Sequence, residues 1–249
     1  MSFIKEGLSI HRIESNEFLE NLTKTLIDNL NVNELVYLHN IIPLQNINKL
    51  RIQSFQAINK LENWDKKYYS LIQTEIDRIL GPDILIQRKL NLSIQMPNDP
   101  TSILSIHSDT LSGQSPFEIV VWLPITDAYE SNAMFYFDVE TSHQIRLEMI
   151  KYEQNGLDFI REKYWYKHKL LNIKVGEIAF FTSTIFHGNI LNETNHTRIS
   201  INCRFKNLYS PETSPEPNER GVGMFYKLLK TSPVTDIAMN YINYEDKFL

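Results

Sequence analysis

The sequence predicts an α+β protein: a helical layer followed by an antiparallel β core of the sandwich or jelly-roll kind. Apolar residues recur every three or four positions through the first third of the chain, and from Asp83 onward the period changes to two. The strands that follow are short and do not alternate regularly with helices, which argues against a parallel α/β sheet. A chain of 249 residues, 42% of them hydrophobic, can bury a proper core, so one domain over residues 1–249 is expected. Its parts are a helical layer at 1–82, a β core at 83–206 with an insert at 140–168, and a C-terminal loop with helices at 207–249.

In the helical part, "SNEFLENLTKTLIDNL" spaces Phe18, Leu22, Leu26 and Leu30 four apart; Leu19 and Ile27 widen the stripe, and Ser15 or Asn16 can cap it. "NINKLRIQSFQAINKL" and "NWDKKYYSLIQTEIDRIL" repeat the pattern, and Gly81-Pro82 ends the last helix. In the β part, "RKLNLSIQM" alternates Leu90, Leu92 and Ile94 with Asn91, Ser93 and Gln95. "FEIVVWLPI" places Phe117, Ile119, Val121 and Leu123 on one face, and "AMFYFDV", "LLNIKV", "EIAFFTS" and "TRISINCRF" supply further strands. The insert carries Tyr164, Trp165 and Tyr166 among many charges; it is expected to hold a helix and to cap a pocket. "YSPETSPEPNERG" reads as a loop or linker, and "VGMFYKLLK" and "VTDIAMNYI" read as closing helices.

Charge and composition exclude whole classes of function. The net charge is −5 and no block of five like charges occurs, so no nucleic-acid footprint or membrane-surface patch is present; a small-molecule substrate is expected instead. Cys203 is the only cysteine, which removes disulfide frameworks and cysteine-rich zinc sites and suits a reducing compartment. "MSFIKEGLSIHRIE" has no apolar signal core, so a cytoplasmic location is expected.

The chemistry starts at "SIHSDTLSGQSP". If residues 103–109 are extended, His107 and Asp109 project from one face and offer a nitrogen and an oxygen to one metal ion. Such a pair is common by chance and needs a third partner. His187 is the best candidate: it follows the apolar strand that ends at Phe181 and precedes Gly188, which permits a tight approach. Eleven residues on stands Arg198, on a strand with Arg198, Ser200, Asn202 and Arg204 on one side and Ile199, Ile201, Cys203 and Phe205 on the other. A solvated face accounts for Arg204 but leaves the spacing of Arg198 from His187 unexplained. Two histidines and one carboxylate form the facial triad of non-heme Fe(II) oxygenases, which leaves three positions open. In the 2-oxoglutarate-dependent members the cosubstrate chelates two of these and O2 takes the third; Arg198 with Ser200 suits the far carboxylate.

With H-x-D, the distal histidine of "GEIAFFTSTIFHGNILNETNHTRIS" and R-x-S in place, residues 90–206 resemble the phytanoyl-CoA dioxygenase-like Fe(II)/2-oxoglutarate oxygenases. "VVWLPITDAYESNAMFYF" is similar to the superfamily's tryptophan-bearing strand, and the nearest branch is that of sporadic carbohydrate biosynthesis clusters, related to streptomycin-cluster oxygenases. The resemblance implies a double-stranded β-helix (cupin-like jelly roll), iron held by His107, Asp109 and His187, 2-oxoglutarate held by Arg198 and Ser200, and Trp122 walling the pocket. Gln95 is a further candidate beside the cosubstrate, with backbone pairing as its plainer role. The family's glycine-serine-histidine turn is absent at "SNAMFYFDVETSHQ", and His143 is placed at the pocket mouth or simply on the surface.

The reading is an Fe(II)- and 2-oxoglutarate-dependent dioxygenase that uses O2 to hydroxylate a sugar, nucleotide-sugar or aminocyclitol-like compound. Asp109 argues against a halogenase, since chloride needs the position that the carboxylate fills. Two rivals are a cupin-like metal-dependent sugar isomerase or epimerase, which has no use for Arg198, and a silent binding module, in which buried unpaired ligands would be costly.

Overall fold

A computed structural model of the chain describes residues 3–14, 17–152, 157–211 and 220–241. In chain order these form α1 (Phe3–Glu6), β1 (Leu8–Arg12), α2 (Glu17–Leu30), α3 (Ile47–Ile58), α4 (Trp64–Ser70), α5 (Gln73–Leu80), β2 (Ile84–Gln87) and β3 (Asn91–Gln95). There follow β4 (Glu118–Pro124), β5 (Met134–Tyr136), α6 (Val139–Lys151), α7 (Asp158–Tyr164), β6 (Lys169–Leu171), β7 (Glu177–Thr182), β8 (His187–Gly188), β9 (Arg198–Asn207), β10 (Tyr226–Lys230) and α8 (Pro233–Asn240). The α+β expectation and the helical first third agree with this order.

Two antiparallel sheets carry the architecture. The larger has seven strands in the order β1-β7-β4-β9-β2-β10, with β3 also paired to β9; the smaller has the order β6-β5-β8. Period-two alternation divides the larger sheet cleanly. Ile119, Val121 and Leu123 of β4 and Ile199, Ile201, Cys203 and Phe205 of β9 join Phe18, Leu22, Leu26, Leu30 and Tyr68 in the main core under the helices. Tyr68 also donates its hydroxyl to the Val121 carbonyl at 3.1 Å, fixing α4 to β4. On the opposite face, Val120, Trp122 and Phe181 pack with Met134 and Leu171 of the smaller sheet. Register places Trp122 opposite Asn202 and Val120 opposite Arg204, so the polar side chains of β9 lie between the two sheets.

The insert differs from its expectation. It holds two helices, and Ile145, Ile160 and Tyr164 pack with Phe135, Phe137 and Phe186 on the far side of the smaller sheet. Burying that apolar face makes the insert a third layer, not a cap over the space between the sheets. "VGMFYKLLK" is also corrected, from helix to the edge strand β10, whose Tyr226, Lys227 and Leu228 pair with Gln87, Ile86 and Leu85. The open edge of β2 satisfies this backbone, a non-local gain that outweighs a short helical pattern. β1, absent from the sequence reading, covers the other edge by pairing with β7. The expected closing helix is α8, capped by Ser232. Ser15 and Asn16, and most of the proline-rich loop, lie outside the described residues. No helix among the described residues is long and apolar enough to cross a membrane.

Leu26 is fully buried between α2 and the sheet, whereas Ile52 in the same layer is 59% exposed. Leu26→Ala should therefore lower unfolding free energy by about 2–5 kcal/mol in denaturant titrations, and Ile52→Ala by no more than about 0.5 kcal/mol.

Candidate metal centre

His107 and His187 meet through backbone pairing: each amide donates to the other's carbonyl, at 2.9 and 2.8 Å. Residues 103–109 are not a continuous strand: His107 and His187 form an isolated bridge, and Asp109 opens a short 3-10 turn, Asp109–Ser112. The expected result survives by a more local cause. Ser108 is extended, at φ −117° and ψ 146°, so the side chains on either side of it project together. Ligand atoms of His107, Asp109 and His187 lie within 4.8 Å of one another, an arrangement that can hold a metal ion. Gly188 lets the strands close: a Cβ there would lie 2.7 Å from the Leu104 carbonyl oxygen and 2.8 Å from Phe135.

The donor atoms are prepared for a cation. His107 Nδ1 lies 2.8 Å from the Ser105 carbonyl and His187 Nδ1 lies 3.0 Å from the Ile185 carbonyl. A carbonyl only accepts, so each Nδ1 carries a proton, which leaves Nε2 as the nitrogen able to coordinate. Burial pushes His187 down to about 4, which leaves it neutral at physiological pH and ready to coordinate. Burial works to raise the Asp109 carboxyl, but the charges beside it, Arg204 foremost, outweigh that and hold it below the usual carboxylate range. The site thus offers two imidazoles and one carboxylate.

The same cavity, about 120 Å³ in volume, is lined by Trp122, Arg198 and Arg204 as well as by the three donors. Arg198 is 4% exposed. Its Nε donates to the Asn132 carbonyl at 3.2 Å, Nη1 to Ser93 and Ser200 Oγ at 3.1 and 2.8 Å, and Nη2 to Gln95 Oε1 at 2.9 Å. All four acceptors are neutral. No carboxylate among the described residues pairs with Arg198; burial draws it down to about 10, so it remains a cation at neutral pH. The Trp122 ring stands 5.9 Å from its guanidinium carbon.

Some expectations need revising. Gln95 does not line the cavity; it is fully buried, donates to the Ile190 carbonyl at 2.6 Å and holds Arg198 in place. His143 is exposed on α6 and lines a separate groove with Ser108 and Thr184. The insert contributes no described residue to the cavity: Tyr164 is buried behind the smaller sheet, Trp165 stacks on His168 at 4.2 Å, and Tyr166 is 79% exposed. Arg204 departs furthest from its expectation. Its side chain is 11% exposed, and its Nη2 and Nε lie 2.9 and 3.1 Å from Asp109 Oδ2 and Glu118 Oε1. Parity with Arg198 placed it on this face, but Glu118, its buried partner on β4, has no local signal in the sequence.

Gly188→Ala would force the Leu104 backbone away from β8. Such overpacking should cost about 1–3 kcal/mol and appear as a lower Tm in thermal unfolding.

No protein-family model matches the chain. It is 26% identical over 152 residues to the streptomycin biosynthesis protein StrG of Streptomyces griseus, a match covering 59% of each chain, so the chain spans about three-fifths of that relative's length. Among solved structures, the non-heme monooxygenase ThoJ in its apo form superposes with a TM-score of 0.59 at 16% identity, over 92% of this chain and 82% of that one. HygX from Streptomyces hygroscopicus, solved with nickel and 2-oxoglutarate bound, gives 0.52 at 12% identity over 91% and 94%. The chain therefore has the fold of the non-heme, 2-oxoglutarate-type oxygenases that its motifs resemble.

Proposed function

We propose that this chain is an Fe(II)- and 2-oxoglutarate-dependent dioxygenase built as one domain on a double-stranded β-helix, with residues 1–82 as helical layer and 83–206 as catalytic core. The observation that carries the reading is Arg198, a buried cation with no counter-charge among the described residues, in one cavity with a His-Asp-His donor set. A dicarboxylate that chelates a metal at one end supplies the missing negative charge at the other. In this reading His107, Asp109 and His187 hold iron, Arg198 and Ser200 bind the far carboxylate, Trp122 walls the cavity, and Gln95 orients Arg198.

With iron, 2-oxoglutarate and O2 bound, the chemistry supplied is oxidation of the 2-oxo acid to succinate and CO2 coupled to hydroxylation of a substrate C–H bond. The protein's own part is positioning. The carbonyls of Ser105 and Ile185 orient the imidazoles, and the neutral acceptors around Arg198 fix its guanidinium at the cavity wall without cancelling its charge. Trp122, Val120, Met134 and Phe181 give that cavity apolar walls that exclude water. Similarity to a streptomycin biosynthesis protein supports a sugar, nucleotide-sugar or aminocyclitol-like substrate. The cupin-like isomerase reading finds less support, because it gives Arg198 no ligand.

Two outcomes follow from these assignments. Purified protein should bind one ferrous ion per chain, and Asp109→Ala and His187→Ala should each lose most of it in metal analysis; full retention by both removes the triad assignment. Arg198→Ala should raise the 2-oxoglutarate dissociation constant about 30-fold to several thousand-fold, the equivalent of about 2–5 kcal/mol, with Arg198→Lys a partial rescue. Titration of the anaerobic Fe(II) protein, followed by the charge-transfer absorption of the chelate, measures this. Wild-type affinity in Arg198→Ala refutes the cosubstrate assignment.

A further inference from the structure

The two oxygens of Asp109 have different surroundings. Oδ1 lies 3.7 Å from His107 Nε2, on the side where the donors converge, whereas Oδ2 lies 2.9 Å from Arg204 Nη2. Arg204 is itself anchored: its Nε lies 3.1 Å from Glu118 Oε1, its Nη1 donates to Gln87 Oε1 at 3.3 Å, and Glu118 accepts a short hydrogen bond from the Tyr226 hydroxyl. Glu118 and Tyr226 are both at most 2% exposed. Both contacts are ion pairs between buried groups, so the charge on Asp109 Oδ2 faces Arg204 and the charge on Arg204 is shared between two carboxylates.

We propose that Arg204 is a positioning residue that occupies Asp109 Oδ2 and so makes Asp109 a one-oxygen donor, with Glu118 and Tyr226 holding Arg204 in place. This inference rests on the function proposed above. The consequence concerns coordination positions. Two imidazoles and one carboxylate oxygen leave three positions on a six-coordinate ion, the number that a chelating 2-oxo acid and O2 require together. An aspartate free to chelate through both oxygens leaves two. The two arginines of the cavity therefore divide their work: Arg198, without a counter-charge among the described residues, is available to a ligand, while Arg204, facing two carboxylates, is committed to the protein. A long surface cation on an ordinary strand would need neither Glu118 nor Tyr226, and burying three such groups has no benefit to packing alone.

The test compares two ligands on the anaerobic Fe(II) protein. 2-Oxoglutarate forms the chelate, followed by its charge-transfer absorption; succinate lacks the 2-oxo oxygen, so its binding, followed by calorimetry, draws on Arg198 without chelation. Arg204→Gln should keep iron, raise the 2-oxoglutarate dissociation constant about 10- to 100-fold and change that of succinate less than about twofold. Arg204→Lys should recover part of the loss, since it restores the charge on Oδ2 but cannot also reach Glu118. Equal losses for both ligands, or none for 2-oxoglutarate, overturn the assignment. If Arg204→Gln does not fold, Glu118→Gln decides: it keeps shape and Arg204, and should weaken 2-oxoglutarate several-fold with succinate unaffected, whereas unchanged 2-oxoglutarate binding overturns the proposal. A wild-type protein that binds iron yet never develops the band removes the function itself, an outcome distinct from any variant pattern.

Discussion

The register of β9 is the constraint on which the rest of the structure depends. Its ten residues alternate between two incompatible environments: Ile199, Ile201, Cys203 and Phe205 in the helical core, and Arg198, Ser200, Asn202 and Arg204 in the space between the sheets. β3, β4 and β2 all pair with this strand, so each takes its own register from it. A slip of one residue would drive two guanidinium groups into the apolar core and every apolar side chain into the cavity, which makes the alternative registers inaccessible. The helical layer thus acts on the site at a distance. By burying one face of β9, it fixes the direction of the other.

Two buried cations on one strand pose an energetic problem, and the molecule resolves it in two ways. Arg204 sits beside Asp109 and Glu118, whose charges keep its pKa raised even though burial works to lower it. Those carboxylates are not equivalent: Asp109 stays below its usual range, while burial pushes Glu118 up to about 7 against the pull of Arg204 and Tyr226. Arg198 has only neutral acceptors, so part of its desolvation cost remains uncompensated in the free protein. In the proposed function, the far carboxylate of 2-oxoglutarate would remove that residual cost. The hydrogen bonds that orient Arg198 come from Ser93 and Gln95 of β3, from Ser200 of β9 itself and from Asn132 in the turn before β5.

Much of this was legible in the sequence where the controlling contacts are short-range or periodic. The alternation of β3, β4, β7 and β9 gave the faces, and His107, Asp109, His187 and Arg198, singled out by their spacing, line one cavity. The failures share a physical origin in contacts between distant segments. β1 and β10 exist because open sheet edges at β7 and β2 accept them, and nothing in "LSIHR" or "YKLLK" reports those edges. A solvated face suffices for Arg204 in the sequence because its partners, Asp109 and Glu118, stand 95 and 86 residues away and mean nothing until the sheet is assembled. The aromatic insert was misplaced for a related reason: its composition suits a lid, but the outer face of the smaller sheet, with Phe135, Phe137 and Phe186, offered it more apolar surface.

The most direct measurement of the central claim is product formation by the intact chain. Protein loaded anaerobically with Fe(II) and 2-oxoglutarate is exposed to air, and succinate is quantified against protein with Asp109→Ala and against protein kept anaerobic. The account predicts succinate only in the wild-type sample with O2 present, at a slow uncoupled rate in the absence of the primary substrate. Iron-loaded wild-type protein that consumes no 2-oxoglutarate under air, even with candidate sugars and aminocyclitols supplied, would contradict it.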